Sequence, residues 1–260
     1  MERRDALKLI GASLILGGGL ISARALSAKE EKVPPLPWPY KKLDPEKVAE
    51  RAYLGYYKGG CCYGAFDSIV GSLQDTVGYP YTGIPTELFV FGEGGVAGVS
   101  SLCGAVLGSS AAIFLLTGAL EKEKREKSFE LIKDLFNFYE QEALPKYVPK
   151  NPKVTFEMKT SVSKSPLCHV SVTRWCKVSG YKAFSKERSE RCGRLTADCA
   201  LYALKLVESY LAGTFKEGYL LSQEVKKCRS CHDKGGALEN TRGLMDCSMC
   251  HFTGKKAKHP

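Results

Sequence analysis

Apolar residues recur at helical spacing along most of the chain, so the elements predicted are mainly helices. Asp44-Pro45-Glu46 opens the first, with an acid at the cap, proline at the first helical position and an acid in the first turn. Val48, Ala52 and Tyr56 then follow on one side. Further helices are expected over 61–73, 99–116 and 121–144, after which Pro145, Pro149 and Pro152 break the pattern. One short strand is expected at 154–158. Helical spacing returns over 167–178, and a long amphipathic helix spans 185–211 with Leu195, Cys199, Ala203 and Leu206 on one side. The uncharged stretch 96–118 is long enough on paper to span a bilayer. Its many small residues, among them Gly98, Ser100, Gly104, Gly108 and Ser109, suit a close-packed interior helix instead.

Both ends break this regime. Arg3-Arg4 with Leu7 and Lys8 precedes an apolar run over 9–21 and small residues at Ala23, Ala25, Ser27 and Ala28. Residues 1–28 therefore read as a twin-arginine-type signal peptide, and the chain as exported to the periplasm with no stable membrane span after cleavage. A proline-rich leader occupies 29–44 and a helical, cysteine-containing domain 45–218. Residues 219–260 form a di-haem c-binding region, and from about Lys226 on it is poor in aliphatic residues and cannot build a core from its own side chains. The formal net charge is +10. Lysine and arginine are spread along the chain, with no continuous basic stripe and no nucleic-acid-binding motif. An acidic redox partner protein accounts for that charge, and nucleic acid does not.

The chemistry of the tail lies in Cys228-Arg229-Ser230-Cys231-His232 and Cys247-Ser248-Met249-Cys250-His251. Each is a c-type haem attachment pattern. Cys228 and Cys231, and likewise Cys247 and Cys250, are spaced to form thioethers with the two vinyl groups of one porphyrin. His232 and His251 then fall beneath the irons. A zinc site is the competing use of such pairs, but it leaves both histidines unexplained. The chain has 4 histidines. With two proximal, His169 and His259 remain for the distal positions, in competition with Met158, Met245 and Met249. Two bis-histidine haems c carry electrons and leave no iron open to substrate. Haem c is attached after export, whereas the twin-arginine route carries folded proteins, and that conflict points to a second cofactor inserted earlier.

Seven cysteines lie before the tail: Cys61, Cys62, Cys103, Cys168, Cys176, Cys192 and Cys199. Disulfides are their ordinary use in an exported protein. The segments Gly59-Gly60-Cys61-Cys62-Tyr63-Gly64-Ala65-Phe66, Cys103-Gly104-Ala105-Val106-Leu107-Gly108 and Arg191-Cys192-Gly193-Arg194-Leu195 point elsewhere. They resemble the C_GCAxxG_C_C family of redox proteins, and that domain joined to two haem motifs is similar to the split-Soret cytochromes c. The resemblance implies a helical N-terminal domain, closely stacked porphyrins, and a homodimer in which a histidine crosses between subunits to ligate a haem. It also implies an iron–sulfur cluster, with Cys62, Cys103, Cys176 and Cys192 carried over by motif. Cys61 stands as the alternative to Cys62, and Cys168 as the alternative to Cys176. The expected function is an exported di-haem electron carrier with no catalytic side chain. The alternative is a redox enzyme whose N-terminal cysteine or cluster site is fed by the haems.

Overall fold

Helix α1, Pro45–Thr76, begins as the local chemistry dictates: the Asp44 carboxylate accepts from the Glu46 amide at 2.9 Å, and Pro45 needs no donor partner. It is kinked at Gly59–Gly60, where Gly60 adopts φ +80° and ψ 175°, a conformation open chiefly to glycine. The two helices expected there are thus one rod broken at that pair. The computed structural model describes residues 32–251, apart from the side chains of Met249 and Cys250. The signal peptide and His259 lie outside the described residues.

The remaining α-helices among the described residues are α2 (Gly104–Thr117), α3 (Lys122–Gln141), α4 (Cys168–Ser179), α5 (Lys186–Leu211), α6 (Gln223–His232) and α7 (Ser248–His251). Two short strands, β1 (Ala143–Leu144) and β2 (Ser161–Val162), pair antiparallel, Ala143 opposite Val162. The fold is mainly α, as expected. Three boundaries differ from expectation. Helix α2 starts at Gly104 and not near 99, because Val96, Ala97 and Ser100 hold φ of 63°, 50° and 64°. Those angles close a tight loop and cannot propagate a helix. Helix α3 gives way at 143 to β1, ahead of Pro145. Residues 154–158 are not a strand: β2 pairs with β1, while the Val154 amide donates to a Glu190 oxygen at 3.3 Å. Among the described residues no helix is long and apolar enough to cross a membrane.

The core lies where α1, α2 and α5 meet. The predicted stripe of α5 is buried there throughout: Leu195, Cys199, Ala203 and Leu206. A buried polar hub locks α5 to α1. Glu190 accepts from Tyr53 at 2.7 Å, Tyr57 at 2.6 Å and the Arg194 Nε at 2.9 Å. Helix α3 carries the tail. Its Asp134 accepts from the amides of Gly218 at 2.6 Å and Tyr219 at 3.2 Å, and from the Tyr202 hydroxyl at 2.8 Å. Asn137 and Gln141 donate to the carbonyls of Tyr219 and Leu220. Beyond that clamp, Val225 alone is buried among the described side chains of the tail. A hollow of about 300 Å³ opens between Ile132, Phe136 and Glu140 of α3 and Leu244 and Met245 of the tail.

Candidate redox centres

Ser222 caps α6, accepting from the Val225 amide at 3.3 Å, and the helix runs straight into the first haem motif. Helical spacing sets Cys228 and Cys231 on one face, three residues apart. His232 ends the helix with Nδ1 at 2.8 Å from the Asn240 side-chain oxygen. An amide oxygen only accepts, so Nδ1 carries the proton and Nε2 the lone pair that a metal needs. The second motif forms α7, with Cys247 just ahead of it and an exposed His251 at its end. Burial first, then the adjacent Cys228 thiol, push the Cys247 thiol up. The leading cysteines of the two motifs are therefore neighbours.

His169 shows the same preparation. It sits in the first turn of α4, exposed, and its Nδ1 donates to the Ser100 carbonyl at 3.1 Å. That carbonyl is aimed by the left-handed backbone of Ser100. That leaves the lone pair on Nε2, beside a hollow of about 320 Å³ lined by Val162, Val170 and Lys177. In the sequence Ser100 reads only as a small packing residue, and Asn240 carries no signal. Any residue can offer a backbone carbonyl, so this role of Ser100 carries no sequence signal.

The N-terminal cysteines gather at a second place. Cys61 follows the kink of α1, Cys103 caps α2, Cys168 opens α4 and Cys192 lies on α5. All four line one cavity of about 170 Å³, together with Tyr56, Tyr139, Arg188 and Arg191. Of the motif-derived set, Cys103 and Cys192 are brought together here, and Cys62 and Cys176 do not line the cavity. The alternatives Cys61 and Cys168 line it instead. Cys62 is fully buried on the adjoining side of α1, against Gly92. Cys176 lies about 12 Å further along α4 than Cys168 at 1.5 Å rise per residue. The two glycines of the Cys103–Gly108 segment permit this assembly. A β-carbon on Gly104 would stand 2.6 Å from the Cys61 sulfur, and one on Gly108 2.2 Å from the Cys62 carbonyl oxygen.

The thiols are electrostatically unequal. The Cys103 thiol is brought down to about 6, chiefly by its hydrogen bond with Cys61, with help from Tyr139, the Ala105 amide and Arg191, against burial. The same contact and burial push Cys61 well up, and burial raises Cys168 to about 12. Cys103 thus becomes a thiolate, the form that binds metal, ahead of Cys61 and Cys168. Arg191 is 1% exposed. Its Nη2 donates to the Ser171 hydroxyl at 2.8 Å and its Nη1 lies 3.8 Å from the Cys192 sulfur. Its Nε and the Tyr139 hydroxyl are buried without a hydrogen-bond partner in proper geometry. A buried guanidinium needs an anion beside it. These orphaned donors and the thiol ring fit an anionic, sulfur-ligated group. Among the described residues no three Cys, His, Asp or Glu side chains are arranged to hold a single metal ion, since the four sulfurs surround a cavity instead of meeting at a point. The described cysteines are all free thiols, so the disulfide use is not taken up.

Residues 63–206 match the family model described as "Putative redox-active protein (C_GCAxxG_C_C)". The chain is 36% identical over 267 residues to the split-Soret cytochrome c of Desulfovibrio desulfuricans, covering 96% of this chain and 94% of the relative. A solved structure, described as a novel iron centre in the split-Soret cytochrome c from that organism, superposes with a TM-score of 0.77 at 37% identity, covering 86% of this chain and 93% of the other. The chain belongs to the split-Soret cytochrome c family, built on the C_GCAxxG_C_C redox domain.

Proposed function

We propose that the protein is an exported electron carrier with two bis-histidine haems c and an iron–sulfur cluster, working as a homodimer in the periplasm. One observation carries the reading: the exposed His169, locked through Nδ1 to the Ser100 carbonyl, is built as a metal ligand and not as a core residue. With His232 held in the same way by Asn240, the haem irons are closed by imidazoles, His251 and His259 completing the set. A closed, low-spin iron passes electrons and binds no substrate. The cysteines Cys228, Cys231, Cys247 and Cys250 attach the two porphyrins. The adjacency of Cys228 and Cys247 supports short haem-to-haem transfer. The cavity among Cys61, Cys103, Cys168 and Cys192 is the seat of the cluster, with Arg191 offsetting its charge. The basic chain suits an acidic redox partner.

A second reading, a thiol- or cluster-based redox enzyme, is favoured by the depressed Cys103 thiol beside Arg191. Burial argues against it, since Cys61 and Cys103 are only 8% and 4% exposed. Absorption and paramagnetic resonance on anaerobically purified protein separate the readings. Low-spin haem, two haems per chain and non-haem iron with a signal on reduction are expected. High-spin haem, or iron equal to the haem content alone, would overturn the carrier assignment or the cluster respectively.

A further inference from the structure

Arg191 is a charge placed at some expense. It is 1% exposed and fully inside the sulfur cavity, yet it pairs with no carboxylate among the described residues. A buried charge left uncompensated is costly; the thiols of Cys192 and Cys103 are the anionic groups set closest to it, with the Asp198 carboxyl adding a weaker attraction. Its geometry is fixed from one side only. Ser171 holds Nη2, Nη1 faces the Cys192 sulfur, and Nε reaches no protein acceptor. The Tyr139 hydroxyl, 1% exposed, lines the same cavity with the Cys103 sulfur and the Ser171 hydroxyl beside it. A guanidinium donor from α5 without an acceptor, and a hydroxyl from α3 beside the Cys103 sulfur, therefore face the space the four cysteines enclose. Arg188, at its edge, is already engaged by the Tyr56 hydroxyl and the Ala183 carbonyl.

Resting on the reading that the cavity holds an iron–sulfur group, we propose that Arg191 Nε and the Tyr139 hydroxyl donate hydrogen bonds to that group and raise its reduction potential. One-electron reduction by a haem turns one ferric iron ferrous and adds a negative charge to the group. No bond is made or broken, and the protons stay on Arg191 and Tyr139. Donors and positive charge beside the sulfurs stabilise the reduced form more than the oxidised one. Arg191 and Tyr139 are thus positioning residues that tune the centre and ligate nothing.

The test is a potentiometric titration of the holoprotein, following the cluster by paramagnetic resonance and the haems by absorption. Arg191→Gln, Arg191→Lys and Tyr139→Phe are compared with wild type, each assayed for non-haem iron. Tyr139→Phe keeps the ring and the packing, so it reports on the hydroxyl even where Arg191→Gln fails to fold. The expected result is a cluster potential lowered in all three, most in Arg191→Gln, with haem potentials unchanged. Iron-loaded Arg191→Lys and Tyr139→Phe proteins with the wild-type cluster potential would overturn the inference alone. Wild-type protein lacking non-haem iron would overturn the cluster reading and this inference together.

Discussion

Replacing Gly108 by alanine sets two effects of opposite sign against each other. In an open helix that change stabilises by about 1 kcal/mol, because alanine loses less backbone freedom on folding. In α2 the new β-carbon would stand 2.2 Å from the Cys62 carbonyl oxygen and 3.1 Å from the Phe66 nitrogen. Carbon–oxygen contacts relax only near 3.3 Å, so α1 and α2 would have to part by about 1 Å. The obstacle is backbone, which has no rotamer to escape into. Overpacking of this kind costs about 1–3 kcal/mol, and a parted helix pair loses further dispersion contacts. The net expectation is destabilisation by about 1–2 kcal/mol, or a Tm lowered by about 2–8 °C for a domain of this size. Thermal unfolding followed by helical circular dichroism reads it. Because the same interface sets Cys61 beside Cys103, non-haem iron should fall as well. A Gly108→Ala protein with raised Tm and full iron would refute the close approach and the role assigned to it.

The Glu190 carboxyl is pushed up by burial but held below its usual range by donors from Tyr57, Tyr53 and Arg194. A depressed folded value contributes stability above about pH 4.3 that is lost as pH falls through it. In urea titrations Glu190→Gln should be about 2–3 kcal/mol less stable at pH 7 and lose that acid limb; an unchanged acid limb would discount the hub. Asp198 has the opposite sign, since burial raises its carboxyl to about 6 despite the amides of Lys146 and Tyr147. The folded state holds that proton more tightly, so its contribution declines as pH rises from about 4 to 6. The difference between wild type and Asp198→Asn should show that decline, and a flat difference would contradict it. His169→Ala should convert about half of the haem iron to high spin by absorption, as expected where one of two irons loses a ligand; fully low-spin haem would remove His169 from the ligand set.

The elements legible in the sequence are those whose cause is local. Asp44-Pro45-Glu46 fixes the start of α1 because the cap and the missing proline donor act within one turn. The stripe Leu195, Cys199, Ala203 and Leu206 is legible because a 3.6-residue period has one physical meaning, a buried face. The haem motifs are legible because a porphyrin's dimensions dictate the residue spacing. The loop over 93–102 is not. Its small, uncharged residues read as helix, and the left-handed turns at Val96, Ala97 and Ser100 are imposed by tertiary contacts. One such contact is the bond from the Cys168 amide to the Ser101 carbonyl at 2.6 Å.

Which cysteines line the cavity is illegible for a sharper reason. Successive residues on a helix point about 100° apart, so Cys61 and Cys62 cannot both face one cavity. The motif reports that a cysteine stands there but says nothing about which side of α1 meets α2. That is decided by the break at Gly60, whose φ of +80° reorients the helix just ahead of the pair, and by Gly104, which admits the Cys61 sulfur. Cys168 is chosen over Cys176 in the same way, by which end of α4 the loop at Ser100 and Ser101 fastens to the cavity wall. That fastening also fixes the next residue, His169, against the Ser100 carbonyl. One loop thereby places a cavity thiol and the imidazole proposed as a haem ligand side by side on a single turn of helix. If Cys168 and His169 each hold their proposed centre, the backbone between these consecutive residues connects the two and is the place to look for their electronic coupling.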